Sequence, residues 1–339
     1  MIGIPIGKYS CQHFLLIKSD YFHITAQSVI KHKNKIIAPI NSRLLLGEAP
    51  AAAGDEGTPR KLCSHSLIKN HNLQGENKMN RIEALTAYYS KGKEDGRLVT
   101  RYGSVEFITT VHYIEKYLRP GMKILEIGAG TGRYSHYFAQ GGYEVDAVEL
   151  MECNIEVFKT HTLPTEKITV TQGDALDLKI EDDKYDITLL LGPMYHLYTV
   201  EDQKKALAEA IRVTKKGGII FAAYCNSDLT MYQYCMGKAM LKASRAGNKI
   251  DEDIFKLLSL PEDIFQLYRK EDIDTLMSGF NVTRLHYVGT DMLVHFLRRE
   301  FSELDDEDFE FYMRYHLNIC ERPDMIGATN HMLDIFRKE

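Results

Sequence analysis

A chain of 339 residues with 44% apolar side chains can bury a sizeable core as one large domain or two small ones. Its net charge of −5 gives no general attraction to nucleic acid, and no apolar run approaches the roughly 20 residues needed to cross a bilayer. The six cysteines lack C-x-x-C or metal-ligand spacing, which predicts free thiols in a reducing cytoplasm and no metal site.

Residues 1–78 differ from everything after them. They carry ten Lys/Arg against five Asp/Glu, so the acidic excess of the whole chain belongs to residues 79–339. No periodicity persists in this stretch, and Pro50 to Arg60 is linker-like, which predicts a disordered or weakly structured leader. The run Phe14 to Ile17 is too short for the apolar core of a signal peptide. Gln74-Gly75-Glu76-Asn77-Lys78-Met79 can be encoded by codons containing an AGGAG tract just ahead of ATG. Met79 then reads as the natural start and residues 1–78 as a mis-assigned one; the other reading is a basic tail that docks a partner.

From Met79 the pattern becomes regular. Phe107, Ile108, Val111, Ile114 and Leu118 fall on one face of an amphipathic helix, closed by Pro120-Gly121. Ile124 to Ile127 is a short apolar strand, and Gly128-Ala129-Gly130-Thr131-Gly132 turns it into a helix beginning near Arg133. A turn of this composition exposes backbone N–H groups at a helix N-terminus, so a polar ligand can lie directly on the main chain. A dinucleotide fingerprint would have a small residue where Arg133 stands, and Glu126 just upstream would repel a pyrophosphate. A ligand carrying an ammonium group matches better.

Tyr143 to Leu150 reads as a second strand whose terminal acid, Glu149, lies about 20 residues beyond the turn, where a ribose diol is gripped. Ile168 to Gln172 is a third strand running into Gly173-Asp174-Ala175. Tyr185 to Leu191 is a fourth, almost wholly apolar as a buried parallel strand should be, and ends in Gly192-Pro193-Met194-Tyr195-His196. Thr199 to Asp202 resembles a helix cap, and Lys215 to Gly218 a turn into a fifth strand. An insertion over about 226–270 carries Met231, Tyr232, Tyr234, Met236 and later apolar positions, predicting two or three short helices that serve as core packing or as a substrate lid. Thr283 to Val288 and Met332 to Phe336 supply the last two strands. Between them Phe309, Tyr312, Met313 and His316 share a helix face, with its cap expected near Ser302.

The ordered set of E-x-G-x-G-x-G, Glu149, Asp174 and the fourth strand resembles the class I S-adenosylmethionine (SAM) dependent methyltransferases, closest to small-molecule enzymes whose fourth strand ends in Leu-Gly-Pro-(Met/Leu)-Tyr-His-Leu. The resemblance runs from about Met79 to the C-terminus. It implies a doubly wound α/β fold with a seven-stranded, mostly parallel sheet, and SAM as cofactor. It also implies cofactor contacts at Glu126, Gly128, Ala129, Gly130, Gly132, Glu149, Leu150, Asp174, Ala175, Leu191 and Gly192, with Asp174 accepting from the adenine amine. His196 is the candidate general base, because its unperturbed pKa lies near 6.5, and Tyr195 the candidate wall of the methyl channel. A hydrogen-bonded structural histidine is the competing reading of His196. Tyr88, Tyr89, Arg97 and Arg101 either fold back over the cofactor or stay on the surface. His295, Arg298, Arg299, Tyr315, His316 and Arg322 either line the far side of the pocket or occupy ordinary helix surfaces. The expected activity is methyl transfer to O, N or S of a small molecule. An RNA methyltransferase would need a basic face that residues 79–339 lack, and a SAM-binding regulator without catalysis is the third reading.

Overall fold

The computed structural model describes residues 80–92 and 95–339; the leader and the reading of Met79 as a start fall outside them. Helices α1 (Arg81–Tyr89) and α2 (Arg101–Tyr117) precede strand β1 (Lys123–Ile127). Strands and helices then alternate through α3 (Arg133–Gln140), β2 (Glu144–Glu149), α4 (Glu152–His161), β3 (Ile168–Gln172), β4 (Tyr185–Leu190), α5 (Val200–Val213) and β5 (Thr214–Asn226). The insertion holds α6 (Ser227–Thr230), a π-helical turn at Met231–Met236, α7 (Leu241–Ala246), β6 (Ile250–Asp251), β7 (Lys256–Leu257) and β8 (Leu267–Tyr268). The chain ends with α8 (Lys270–Met277), β9 (Val282–Gly289), α9 (Arg298–Glu303), α10 (Asp306–Ile319) and β10 (His331–Lys338).

The main sheet has the order β3-β2-β1-β4-β5-β10-β9, parallel from β3 to β5. Strand β10 runs antiparallel to both its neighbours. Burial on both faces follows from the pleat: Ile219, Phe221, Ala223 and Cys225 of β5 join one core, and Ile220, Ala222 and Tyr224 the other. Helices α2 and α3 cover the first face through Phe107, Val111, Ile114 and Phe138. Helices α5 and α8 cover the second through Ala206, Leu207, Ala210, Ile273 and Leu276. The strand order reverses between β1 and β4, which opens a crevice at the carboxyl ends of the strands.

Four expectations need correction. The sheet is eight-stranded, because the two-residue β8 pairs in parallel with the end of β5, an addition too short to show a period in sequence. The insertion is only partly helical; β6 and β7 form an antiparallel ribbon. The turn expected at Lys215 to Gly218 is a bulged start of β5, where pairing jumps from Tyr185–Thr214 to Ile187–Ile219. The cap of α10 is Asp305, whose carboxylate accepts from the Asp308 amide, while Ser302 belongs to α9.

Candidate functional site

The glycine turn is built by its neighbours as much as by its own sequence. Gly128 has φ +75°, and a Cβ there would meet the Pro193 ring at 2.5 Å. The loop after β4 therefore packs directly on the turn, which only glycine permits. Gly132, at φ +88°, begins α3, and its own Cβ would strike the Phe158 ring at 2.5 Å. The amides of Gly128 and Ala129 both donate to the Val148 carbonyl, at 2.8 and 3.2 Å.

One cleft is lined by Glu126, Gly128, Ala129, Gly130, Glu149, Leu150, Asp174, Ala175, Leu191, Gly192, Tyr195 and His196. Strand ends separated by up to 70 residues of sequence thus converge on one cavity. Gly132 is the exception among the expected cofactor contacts. It lies beneath the turn against Phe158 and His136, where it shapes the loop instead of facing the cleft.

Each acid has partners that the motif alone does not show. Glu149 accepts from the Gly130 amide at 2.8 Å with one carboxylate oxygen, and from the Met151 amide and Asn154 side chain at 2.9 and 3.1 Å with the other. It braces the glycine turn while facing the cleft. Glu126, 2% exposed, takes the amide and hydroxyl of Ser135 on Oε2. Burial, with Glu149 adding to it against the Ser135 hydrogen bonds, pushes its carboxyl up to about 8. Asp174 is paired with Arg81 of α1 and accepts from the Leu176 amide at 3.1 Å. A ligand amine at Asp174 has to share that carboxylate with Arg81, a partner absent from the motif.

His196 donates from Nδ1 to the Ile264 carbonyl at 2.9 Å, which leaves the lone pair on Nε2. The Tyr89 hydroxyl lies 2.9 Å from that nitrogen and donates to it. The imidazole is thus held in one tautomer by the insertion and turned toward α1. Tyr195 is buried, and burial followed by the nearby Glu106 carboxylate holds its phenol well above its usual value. The phenol is therefore held in its neutral form.

The N-terminal residues divide. Tyr88, Tyr89 and Arg97 line the cleft, and the Arg97 guanidinium holds Glu106 at 2.6 and 3.3 Å. Arg101 instead pairs with Asp306 at 2.9 Å, away from the cleft. His295, Arg298, Arg299, Tyr315, His316 and Arg322 line no part of it. His316 is a core residue whose burial holds it down to about 4, hence neutral. The sequence reading overlooked Arg81 and His331, and left Phe265 among the apolar positions of the insertion that serve as core packing or as a substrate lid; all three line the cleft. For Arg81 the signal was its place in the first turn of a capped helix; for His331 there was none.

The buried carboxylate at Glu126 tests the cofactor. No cation is among the groups that set its state, so the Glu126 carboxyl lacks a cationic partner, and an ammonium group brought into this cleft would favour its ionised form. The residues present therefore fit SAM. Residues 124–218 match the model of the methyltransferase domain family. Those residues carry a methyltransferase domain.

The chain is 35% identical over 105 residues to demethylmenaquinone methyltransferase of Renibacterium salmoninarum, covering 31% of this chain and 41% of that protein. It is 34% identical over 107 residues to the same-named protein of Staphylococcus aureus, covering 30% and 43%. The chain thus spans about two fifths of the length of the curated relatives it matches. Among solved structures, a SAM-dependent methyltransferase from Methanosarcina mazei aligns with a TM-score of 0.45 at 14% identity, covering 67% of this chain and 96% of that one. No described helix is long and apolar enough to cross a membrane.

Proposed function

We propose that this protein transfers the methyl group of SAM to O, N or S of a small-molecule acceptor by in-line displacement. One observation carries the reading: the glycine turn and the Tyr195–His196 strand end open into the same cleft. When bound, SAM would supply an electrophilic methyl group on a sulfonium. Glu149 and Asp174 would hold the nucleoside end, lying against the glycine turn, and Glu126 the ammonium side.

What the chain must add is alignment, since fixing donor and acceptor in a near-attack geometry can remove on the order of 7–11 kcal/mol of barrier. Tyr195, His196, Phe265 and α1 enclose the far end, where Tyr88 and Phe265 meet edge to face at 5.7 Å and Phe265 and His196 at 5.7 Å. An acceptor hydroxyl that replaces Tyr89 at Nε2 of His196 would find a base already in the proton-accepting tautomer. The aromatic walls suit a flat ring, in keeping with the demethylmenaquinone named for the relatives.

The test is label transfer from methyl-labelled SAM to a metabolite extract. The native protein is expected to label a low-molecular-weight product, and Gly130→Arg to label none, because Gly130 sits at φ +56° in the cleft wall. Equal transfer by both proteins would overturn the site.

A further inference from the structure

Resting on that reading, we propose that His331 is an acceptor-binding residue, donating a hydrogen bond to an anionic oxygen on the molecule to be methylated. Strand β10 begins where β5 ends, with His331 opposite Cys225, so antiparallel pairing brings a residue near the C-terminus to the carboxyl edge of the sheet. There it lines the cleft beside Tyr195, with ring centroids 5.7 Å apart.

Its charge follows from its neighbours. Asp291 is fully buried, and its Oδ1 accepts from the Thr329 hydroxyl at 2.7 Å and the amides of Asn330 and His331 at 2.8 and 3.1 Å. Its Oδ2 faces Nδ1 of His331 at 2.7 Å and Nε2 of His295 at 3.0 Å. None of these partners is Arg or Lys. The Arg298 guanidinium donates to Nδ1 of His295 at 2.9 Å, which puts the His295 proton on Nε2 and leaves that ring neutral. The same contact makes the three side chains a hydrogen-bonded group in place of a metal site, although their donor atoms lie within 4.8 Å of one another.

The cation that matches Asp291 is therefore His331. Glu106, already held by Arg97, adds a second carboxylate 3.4 Å from Nδ1 of His331. Burial opposes the charged ring, but Glu106 and Asp291 outweigh it and hold His331 well above the ordinary imidazole value. Asp291 and Glu106 stand on the Nδ1 side of the ring, the Tyr195 and His295 rings lie 5.7 and 5.9 Å from it by centroid, and the side chain lines the cleft. The Cys225 thiol on that ring is a weak acceptor that an anionic oxygen displaces.

The substrate class is thus a planar small molecule bearing an acidic oxygen, such as a carboxylate, phenolate or enolate. The experiment uses the full chain loaded with S-adenosylhomocysteine and two matched probes, benzoate and benzamide. Benzoate is expected to bind at least tenfold tighter and to move the His331 imidazole resonances in nitrogen-15 NMR. His331→Gln should erase the preference while leaving S-adenosylhomocysteine affinity unchanged. Equal binding of the two probes, or a preference that survives in His331→Gln, would overturn the proposal. Should that variant fold poorly, the native spectrum decides: His331 resonances that stay still on benzoate addition overturn it. Label transfer is read separately, so failure of the methyl-transfer reading with an intact benzoate preference remains distinguishable.

Discussion

The proposed cofactor half and the proposed acceptor half of the cleft are built by different means. In the first, a turn, an acid and a strand end lie within 50 residues of one another, and the main chain of the glycine turn forms much of the surface. In the second, Tyr89, His196, Phe265 and His331 come from four segments spread over more than 240 residues, and side chains form the surface. Contacts made by the main chain depend on short local motifs. Contacts made by side chains from distant segments depend on register and packing.

The largest expected effect breaks the acceptor half alone. His196→Gln should lower kcat by about 10²–10⁴-fold for an acceptor hydroxyl while S-adenosylhomocysteine binds as before, since general-base catalysis contributes on that order. Comparison of turnover with calorimetric affinity checks it, and a parallel loss of both would mean that the halves are mechanically one. An amine acceptor would show little loss, because it needs only its lone pair.

A smaller effect belongs to the cofactor half. Glu149→Ala should weaken S-adenosylhomocysteine by about 1–3 kcal/mol, the cost of losing a hydrogen bond to a charged group. Because Glu149 also holds the Gly130 amide, thermal stability should fall in the same variant. Unchanged affinity would refute its place in the site.

The smallest effect sharpens the electrostatics. Glu126 is raised to about 8 when folded, above the usual carboxylate value, so the folded state favours the protonated form between those limits. Its contribution to stability therefore declines as pH rises from about 4.5 to 8. A ligand ammonium favours the ionised form. Affinity for S-adenosylhomocysteine should rise with pH across that window, approaching tenfold per unit at most, and Glu126→Gln should flatten the slope. Isothermal calorimetry at pH 6, 7 and 8 measures it.

Much of the cofactor half was legible in the residues. The glycine spacing, the acid one strand later and the apolar fourth strand each carry a local period or a fixed separation. The double engagement of Glu149 and the pairing of Asp174 with Arg81 were not legible, because hydrogen bonds of a side chain leave no mark on its neighbours in sequence. The insertion read as helical because Met and Tyr recur at helical spacing, yet strands of two residues are too short to contradict that period.

By itself, the order of residues determined the α/β class and the strand-turn-helix at Gly128 to Gly132, and it placed an acid one step ahead of that turn. Those depend on backbone dihedrals, side-chain periodicity and charge within a few residues. Only the tertiary structure decided that Gly132 supports the turn from below, that Tyr89 caps His196, and that His331 stands on a buried carboxylate at the cleft. Those depend on which strands pair and where they begin, and an antiparallel strand added last can carry a C-terminal histidine to the carboxyl edge of a sheet begun 200 residues earlier.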